Sequence, residues 1–188
     1  MALCCYIIPL KEAYPLKIVL HICCGVCAAG VVERLAHDGN RIVGFFYNPN
    51  IHPEEEYKRR LEATYKVARE LDFPLEVAPY IPEEWFREAS SLKDEPECGR
   101  RCEVCFRIRL KKTYLYMLDC GGDAFATTLT ISPHKSAQVI NQVGQEIGGD
   151  RFMVGDFKKG EGFKRACELA KQWHLYRQNY CGCIYSLR

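Results

Sequence analysis

The sequence has little net charge, no recognisable leader and no long apolar segment at its start, and these absences narrow the class of protein. Its 26 basic and 24 acidic residues leave a formal net charge of +2, so binding to nucleic acid would depend on local patches. The apolar stretch at residues 1–10 has about half the residues that a membrane-spanning helix needs, and neither a basic leader nor a small-residue cleavage site accompanies it. We therefore expect a cytoplasmic protein with no membrane partner.

Cysteine is too sparse for a secreted disulfide scaffold, yet it is strongly grouped. The 12 cysteines among 188 residues are about 6% of the chain, below the roughly 8–10% of such scaffolds. A chain of this length can form a stable hydrophobic core without disulfide bonds. Two thiols separated by two residues can hold one metal ion or one cluster edge. The seven grouped thiols are Cys23, Cys24 and Cys27; Cys102 and Cys105; and Cys181 and Cys183.

The three groups predict a metal centre assembled from distant parts of the chain. Seven thiols exceed the four ligands of one tetrahedral site, which favours additional redox or metal chemistry. A structural zinc site is the main alternative, but zinc ribbons separate their pairs by about 15–20 residues, and here positions 28–101 lie between two pairs. A thioredoxin-like thiol pair would account for only one group. We therefore favour an iron–sulfur cluster.

Five cysteines lie outside these groups. We expect four of them to be bystanders, and two of these, Cys120 and Cys167, fall in helical or helix-end patterns where a small buried thiol is ordinary. The fifth, Cys98, lies four residues before Cys102 and is a possible spare ligand. The expected bystanders are Cys4, Cys5, Cys120 and Cys167.

Hydrophobic periodicity predicts alternating strands and helices. We expect strands at 17–22, 41–47, 75–78 and 124–129, and helices at 28–37, 54–71, 82–91, 101–118, 133–147 and 161–174. Alternation of this kind predicts an α/β fold with a mostly parallel sheet flanked by helices. We expect residues 1–16 to be an N-terminal extension and residues 17–188 to form a single α/β catalytic domain.

The loops that follow three predicted strands carry most of the candidate site residues. Open parallel sheets bind ligands beyond the carboxyl ends of their strands. The loop after the first strand carries the first cysteine group, and the other two carry residues suited to binding substrate or supplying a proton. His21, inside the first strand, is expected to be a core imidazole. The other loop candidates are Asn48, Asn50 and His52 after the second strand, and His134 and Lys135 after the fourth.

Two later segments add oxygen, cationic and aromatic side chains. Asp156 is a candidate hard ligand for iron. Lys158 and Arg177 are candidate substrate contacts, because basic groups that contact phosphate, together with aromatic side chains such as Tyr180, are how proteins hold splayed-out RNA bases.

Ordered motifs give the chain a resemblance to the QueH family of epoxyqueuosine reductases. The motifs are residues 20–27 (LHICCGVC), 46–51 (FYNPNI), 101–105 (RCEVC), 127–135 (TTLTISPHK), 156–159 (DFKK) and 175–183 (LYRQNYCGC). The resemblance implies reduction of epoxyqueuosine to queuosine at the wobble position of a tRNA, by a cluster-containing enzyme that needs no cobalamin. It also implies a fold similar to the nucleotide-binding (HUP-like) fold, with a cysteine-rich helical insertion. The first-strand loop offers cysteines in place of a glycine- and serine-rich phosphate cradle, which argues against ATP binding.

We hypothesise two metal sites with divided ligands. A 4Fe-4S cluster would take Cys24, Cys27, Cys102 and Cys105, and a second mononuclear iron would take Cys23, Cys181, Cys183 and Asp156. Cys23 is separated from Cys24 because adjacent side chains on an extended strand point to opposite faces. His134 is the expected proton donor and Lys135 a phosphate contact, and the electron donor is unidentified. The rival classes are a zinc-stabilised RNA-binding module and a thiol-disulfide oxidoreductase.

Overall fold

The computed structural model describes residues 15–187. Most of the predicted N-terminal extension, with Cys4 and Cys5, lies outside the described residues. In the described part, four strands and six α-helices alternate. The strands are β1 (Lys17–His21), β2 (Arg41–Phe46), β3 (Leu75–Val77) and β4 (Ala124–Thr127), and the helices are α1 (Gly25–His37), α2 (Glu54–Glu70), α3 (Pro82–Ala89), α4 (Arg100–Asp119), α5 (Ala137–Gly148) and α6 (Gly162–Gln172).

The four strands form one parallel sheet in the order β3-β2-β1-β4. The sheet grows from β1 through β2 to β3 on one side, and the chain then returns to place β4 on the other side of β1. This reversal creates a topological switch point between β1 and β4, where open α/β sheets bind ligands. The loops after β1 and β4 therefore meet at the edge that the sequence predicts for the site.

Helices cover both faces of the sheet. Helix α1 packs against α2 and α6, whereas α4 packs against α5 and β1. Strand β1 is consequently buried on both sides, with Ile18, Val19 and Leu20 fully inaccessible, as expected for a central parallel strand. Gly25 opens α1, and a Cβ there would lie 2.6 Å from the Ala63 carbonyl oxygen of α2. The glycine thus lets the thiol-bearing start of α1 press against α2.

The prediction of a parallel α/β sheet is confirmed, but some element boundaries differ. Helix α1 begins at Gly25 instead of residue 28, because Cys24 serves as its N-cap and its sulfur accepts a hydrogen bond from the Cys27 amide. Helix α5 begins at Ala137 instead of residue 133, because Ser136 caps it. No helix within residues 15–187 is both long enough and apolar enough to cross a bilayer.

Strand β4 also ends earlier than predicted, at Thr127. The next four residues, Thr128–Ile131, form a 3-10 turn. The Thr127 hydroxyl accepts a hydrogen bond from the Leu129 amide, which supports the turn in place of further strand. The turn brings Thr128 to the first cysteine group, where its hydroxyl accepts a hydrogen bond from the Cys23 amide at 3.2 Å.

Candidate metal centre

Cys23, Cys24 and Cys27 form a compact group at the start of α1. Their sulfur atoms all lie within 4.8 Å of one another, and the Cys23 and Cys24 sulfurs are 3.9 Å apart. All three side chains are buried. The expected separation of Cys23 from Cys24 does not occur, because the strand ends at His21 and the chain has already turned into the helix cap.

The spacing within this compact group suits a single metal ion. Thiolates bound at about 2.3 Å in tetrahedral geometry stand about 3.8 Å apart, close to the Cys23–Cys24 distance of 3.9 Å. Three ligands on one ion leave a fourth position open, as in catalytic metal sites. The compact group can therefore hold one ion with an open position.

Proton sharing within the compact group favours a thiolate at Cys23. Hydrogen bonds from the Cys24 and Cys27 thiols, supplemented by the nearby charge of Lys135, hold the pKa of Cys23 well below its usual range. Sharing the proton with Cys23 raises the pKa of Cys24 to about 12. The thiolate is the form that ligates metals. The compact group therefore offers a negatively charged sulfur to a metal ion.

His21 lies behind the compact group and is a core residue, as predicted. It is fully buried, and its ring nitrogens contact the Thr127 hydroxyl at 2.9 Å and the Tyr47 carbonyl at 3.2 Å. Burial, with the charge of Arg109, lowers its pKa to about 4. The imidazole is therefore neutral at physiological pH and braces β1 against the ends of β2 and β4.

Four other thiols meet around a second, narrower cavity. Cys102 and Cys105 come from the first turns of α4, while Cys181 and Cys183 come from the C-terminal segment, and all four line the cavity. Gly182 adopts a φ of +100°, and a Cβ there would lie 3.0 Å from an Ile51 side-chain carbon. Glycine is therefore needed for the Cys181–Cys183 turn to fit.

Three buried arginines surround the two thiol groups. Arg60, Arg101 and Arg109 are each no more than 3% exposed. Arg60 pairs with Glu56 at 2.7 Å and donates to the Cys181 and Tyr180 carbonyls. Within residues 15–187, Arg101 and Arg109 have no carboxylate within ion-pair distance.

The two unpaired arginines lie beside the second thiol group. Arg109 donates to the Cys105 sulfur at 3.2 Å, and Arg101 donates to backbone carbonyls of the 92–95 segment. Both line the narrower cavity. A buried cation is costly without a counter-charge, and thiolates or an anionic cluster in that cavity would supply one.

A larger cleft of about 680 Å³ adjoins the narrower cavity. Cys23 and Cys27 lie on its wall, together with the predicted site residues His134, Lys135 and Arg177. The two cavities share six wall residues, so both thiol groups lie beside one connected space. The shared residues are Glu97, Cys98, Arg109, His134, Lys135 and Cys181.

Lys135 lies at this junction. It is partly buried, and its charge contributes to lowering the pKa of both Cys23 and Cys181. For each thiol the larger cause is hydrogen bonding from neighbouring cysteines, which brings the pKa of Cys181 to about 4. The lysine therefore stabilises anionic sulfur in both groups, a role that its predicted phosphate contact did not include.

Of the three candidate residues in the loop after β2, only Asn50 lies on a cavity wall among the described residues. Asn50 lines the narrower cavity, but Asn48 donates to the Ile22 carbonyl at 2.8 Å and is buried. His52 contacts the Asn50 carbonyl at 2.9 Å and packs on the rings of Trp85 and Phe86. Asn48 and His52 thus support the loop, and the structure does not bring them to either cavity wall within residues 15–187.

Asp156 and Lys158 are also absent from both cavity walls in the described part of the chain. The Lys158 ammonium lies 2.7 Å from an Asp156 carboxylate oxygen. The structure therefore brings together the seven predicted thiols, His134, Lys135, Arg177 and Asn50, but it leaves this pair aside.

Three site residues were missed in the sequence. Arg60 lies in a strongly charged helix that is typical of a solvated surface, and only its i−4 partner Glu56 hinted at burial. Gln178 donates to the Cys24 sulfur at 3.1 Å, and Trp85 lines the narrower cavity. Both contacts join distant parts of the chain, and the one sequence signal was that Gln178 lies within the motif at residues 175–183.

Cys98, the candidate spare ligand, lies on the wall of the cavity that the second thiol group lines. It is exposed and lines both cavities. Its amide donates to the Cys102 sulfur at 3.2 Å, and its thiol donates to the His134 carbonyl at 3.3 Å. Cys98 therefore holds the loop before α4 against the loop after β4.

Two solved structures share the fold at low sequence identity. One is NMN synthetase from Francisella tularensis, with a TM-score of 0.51 and 13% identity over 89% of this chain and 68% of that chain. The other is the U34-tRNA thiolase NcsA from Methanococcus maripaludis, solved with its [4Fe-4S] cluster, with a TM-score of 0.53 and 14% identity over 93% of this chain and 61% of that chain. The predicted similarity to the nucleotide-binding (HUP-like) fold is confirmed.

Sequence relatives identify the family. The model of the family described as epoxyqueuosine reductase QueH matches residues 18–188. A QueH protein of Streptococcus pyogenes serotype M1 is 40% identical, over 95% of this chain and 73% of that protein. A QueH protein of Thermotoga maritima is 35% identical, over 90% of each chain. The chain therefore belongs to the epoxyqueuosine reductase QueH family.

Proposed function

We propose that this protein reduces epoxyqueuosine at the wobble position of tRNA to queuosine, the reaction for which its family is named. The observation that carries the proposal is that a buried and a partly buried thiol group, each beside a buried arginine, lie along one connected cleft. Removing an epoxide oxygen to leave an alkene consumes two electrons and two protons and releases water. Such a reaction needs both an electron carrier and a group that polarises the carbon–oxygen bond.

We assign a 4Fe-4S cluster to Cys102, Cys105, Cys181 and Cys183, and a second, mononuclear iron to Cys23, Cys24 and Cys27. This assignment replaces the division hypothesised from the sequence. Thiolates that share one ion must be close together, as in the compact group, whereas those of a cluster bind separate irons and stand further apart. The unpaired cations Arg101 and Arg109 support an anionic group in the narrower cavity.

The two metal centres would divide the chemistry. When bound, the cluster would pass single electrons and the second iron would polarise the epoxide oxygen through its open position. The ligand role predicted for Asp156 stays a prediction, and its place away from the cavity walls does not support it. The electron donor is a separate, unidentified partner.

The residues of the cleft wall would bind the substrate and deliver protons. The cleft volume of about 680 Å³ falls within the roughly 300–1,000 Å³ range of small-molecule sites, which is sufficient for one flipped, modified base. His134 is exposed on the wall and is the proposed proton donor. Arg177 and Lys135 carry the positive charge that the phosphates of the tRNA anticodon require.

Anaerobic purification followed by metal and sulfide analysis tests the cofactor assignment. We expect about four sulfides and five irons per chain, together with conversion of epoxyqueuosine to queuosine in tRNA supplied with a chemical reductant. One zinc without sulfide would favour the zinc-stabilised RNA-binding module instead. Protein without metal, with a reversible Cys181–Cys183 disulfide, would favour the thiol-disulfide oxidoreductase.

A further inference from the structure

Two buried N–H groups in the wall of the narrower cavity have no hydrogen-bond acceptor. They are the indole Nε1 of Trp85 and the guanidinium Nε of Arg101, and neither meets an acceptor among residues 15–187. Trp85 is fully buried and Arg101 is 3% exposed. Both residues line the cavity with Cys102, Cys105, Cys181 and Cys183.

Such donors are rare, because a buried N–H without a partner costs about 1–3 kcal/mol. Buried tryptophans usually find an acceptor for the indole N–H. Neither side chain is free to turn away. Trp85 is packed between Phe86, His52 and Tyr185, and the other end of Arg101 is held by the backbone carbonyls of the 92–95 segment. The missing acceptor therefore belongs inside the cavity.

Three of the four cysteine sulfurs that line the cavity already accept hydrogen bonds from other donors. Cys105 accepts from Arg109 at 3.2 Å, Cys102 from the Cys98 amide at 3.2 Å, and Cys181 from the Cys183 amide at 3.4 Å. An anionic group that fills the space between the four thiols would offer further acceptors. The inorganic sulfides of an iron–sulfur cluster are acceptors of this kind, and hydrogen bonds to cluster sulfur tune its reduction potential.

We propose that Trp85 and Arg101 donate hydrogen bonds to the sulfur atoms of the cluster and raise its reduction potential. This inference rests on the cluster assignment proposed above. Reduction adds negative charge to the cluster, so a donor stabilises the reduced form more than the oxidised form. Both side chains would act on the cluster through these hydrogen bonds alone, and neither takes part in a proton transfer.

The substitution Trp85→Phe removes the indole N–H while keeping an aromatic ring in the packing. The chain contains two tryptophans, and the second, Trp173, lies at the end of α6, so Trp173→Phe is a matched control. We expect Trp85→Phe to keep its iron and sulfide. The equilibrium constant for its one-electron reduction should fall about tenfold, equivalent to about 59 mV, in an anaerobic redox titration. The Trp173→Phe potential should equal that of the unaltered protein.

An unchanged potential in a fully loaded Trp85→Phe protein would overturn the proposal, because the donor would then meet water or nothing. Absence of sulfide from the unaltered protein would instead remove the cluster assignment, and this inference with it. Two measurements remain if Trp85→Phe does not fold. Arg101→Lys keeps the charge but removes the Nε–H and should lower the potential similarly. In the unaltered, ¹⁵N-labelled protein, cluster loading should shift or broaden one of the two indole N–H signals and not the other.

Discussion

The two thiol groups are built in different ways, although they adjoin the same cleft. Cys23, Cys24 and Cys27 come from five consecutive residues at one helix start, and a capping hydrogen bond fixes their arrangement. The second group joins α4 to a segment more than 70 residues further along the chain, by positions 105 and 181. Local structure therefore shapes the compact group, whereas only long-range packing forms the second one.

The largest expected effects come from removing one thiol from each group, which tests whether the two groups hold different metal centres. Cys102→Ser should abolish bound sulfide and about four irons while the remaining iron stays on the compact group, because serine is a poor ligand for iron–sulfur clusters. Cys27→Ser should remove one iron and keep the sulfide. Iron and sulfide analysis measures both outcomes. Cys120→Ser changes a thiol that belongs to neither group, and this variant should retain all of its iron and sulfide. Loss of sulfide in Cys27→Ser, with sulfide kept in Cys102→Ser, would reverse the assignment.

Replacing one of the two buried cations beside the second group should have the next largest effect. Arg109→Met should lower the stability of the metal-loaded protein by about 3 kcal/mol, since it removes one of the two buried counter-charges of a buried anion. The same change in metal-free protein should cost much less, because the removed cation was itself unpaired. Thermal unfolding with and without metal measures the difference. Arg107→Met, on an exposed position of the same helix, is the control. Equal losses in both states would show that Arg109 has only a packing role.

A change at Gly182 tests the docking of the C-terminal segment. Gly182→Ala should cost about 2 kcal/mol and reduce sulfide content, because the residue has positive φ and little space for a Cβ. Gly121→Ala is the matched control, since Gly121 also has positive φ but no atom would lie within 4 Å of its Cβ. Chemical denaturation and sulfide analysis compare the two variants. Equal effects would attribute the loss to backbone strain alone.

The smallest expected effect concerns the hydrogen bond from the Gln178 side chain to a sulfur of the compact group. Gln178→Met removes the donor to the Cys24 sulfur and should weaken iron binding there by about tenfold, as is usual for groups that support metal ligands. Competition with an iron chelator measures the affinity. Gln172→Met, at an exposed position of α6, should leave the affinity unchanged. A loss of sulfide in Gln178→Met would show that the two groups depend on each other.

Much of the fold could be predicted because the strands β1, β2 and β4 are short, apolar and largely buried. The boundaries that failed are those where a side chain caps a helix or turn. A cysteine is an unusual N-cap, and this explains the missed start of α1. Thr127 and Ser136 use hydroxyl caps within a proline-containing segment, where the periodic pattern cannot show which residue begins the helix.

The seven metal-ligand candidates, the cleft residues Lys135 and Arg177, and the role of His21 could be read from motifs and strand ends. The partition of the thiols could not, because it depends on how the C-terminal segment docks on α2 and α4. Arg60, Trp85 and Gln178 contribute through contacts with residues far away in sequence. The same is true of the placement of Asp156 away from both cavities.

The sequence by itself determined the parallel α/β sheet, the edge at which the site lies and the identity of the thiols, because these follow from local periodicity and from motif chemistry. Only the tertiary structure decided which thiols lie together, which cations lie beside them and which buried polar groups lack a hydrogen-bond partner. Those features depend on side-chain directions and on packing across the whole chain, and no local pattern records them.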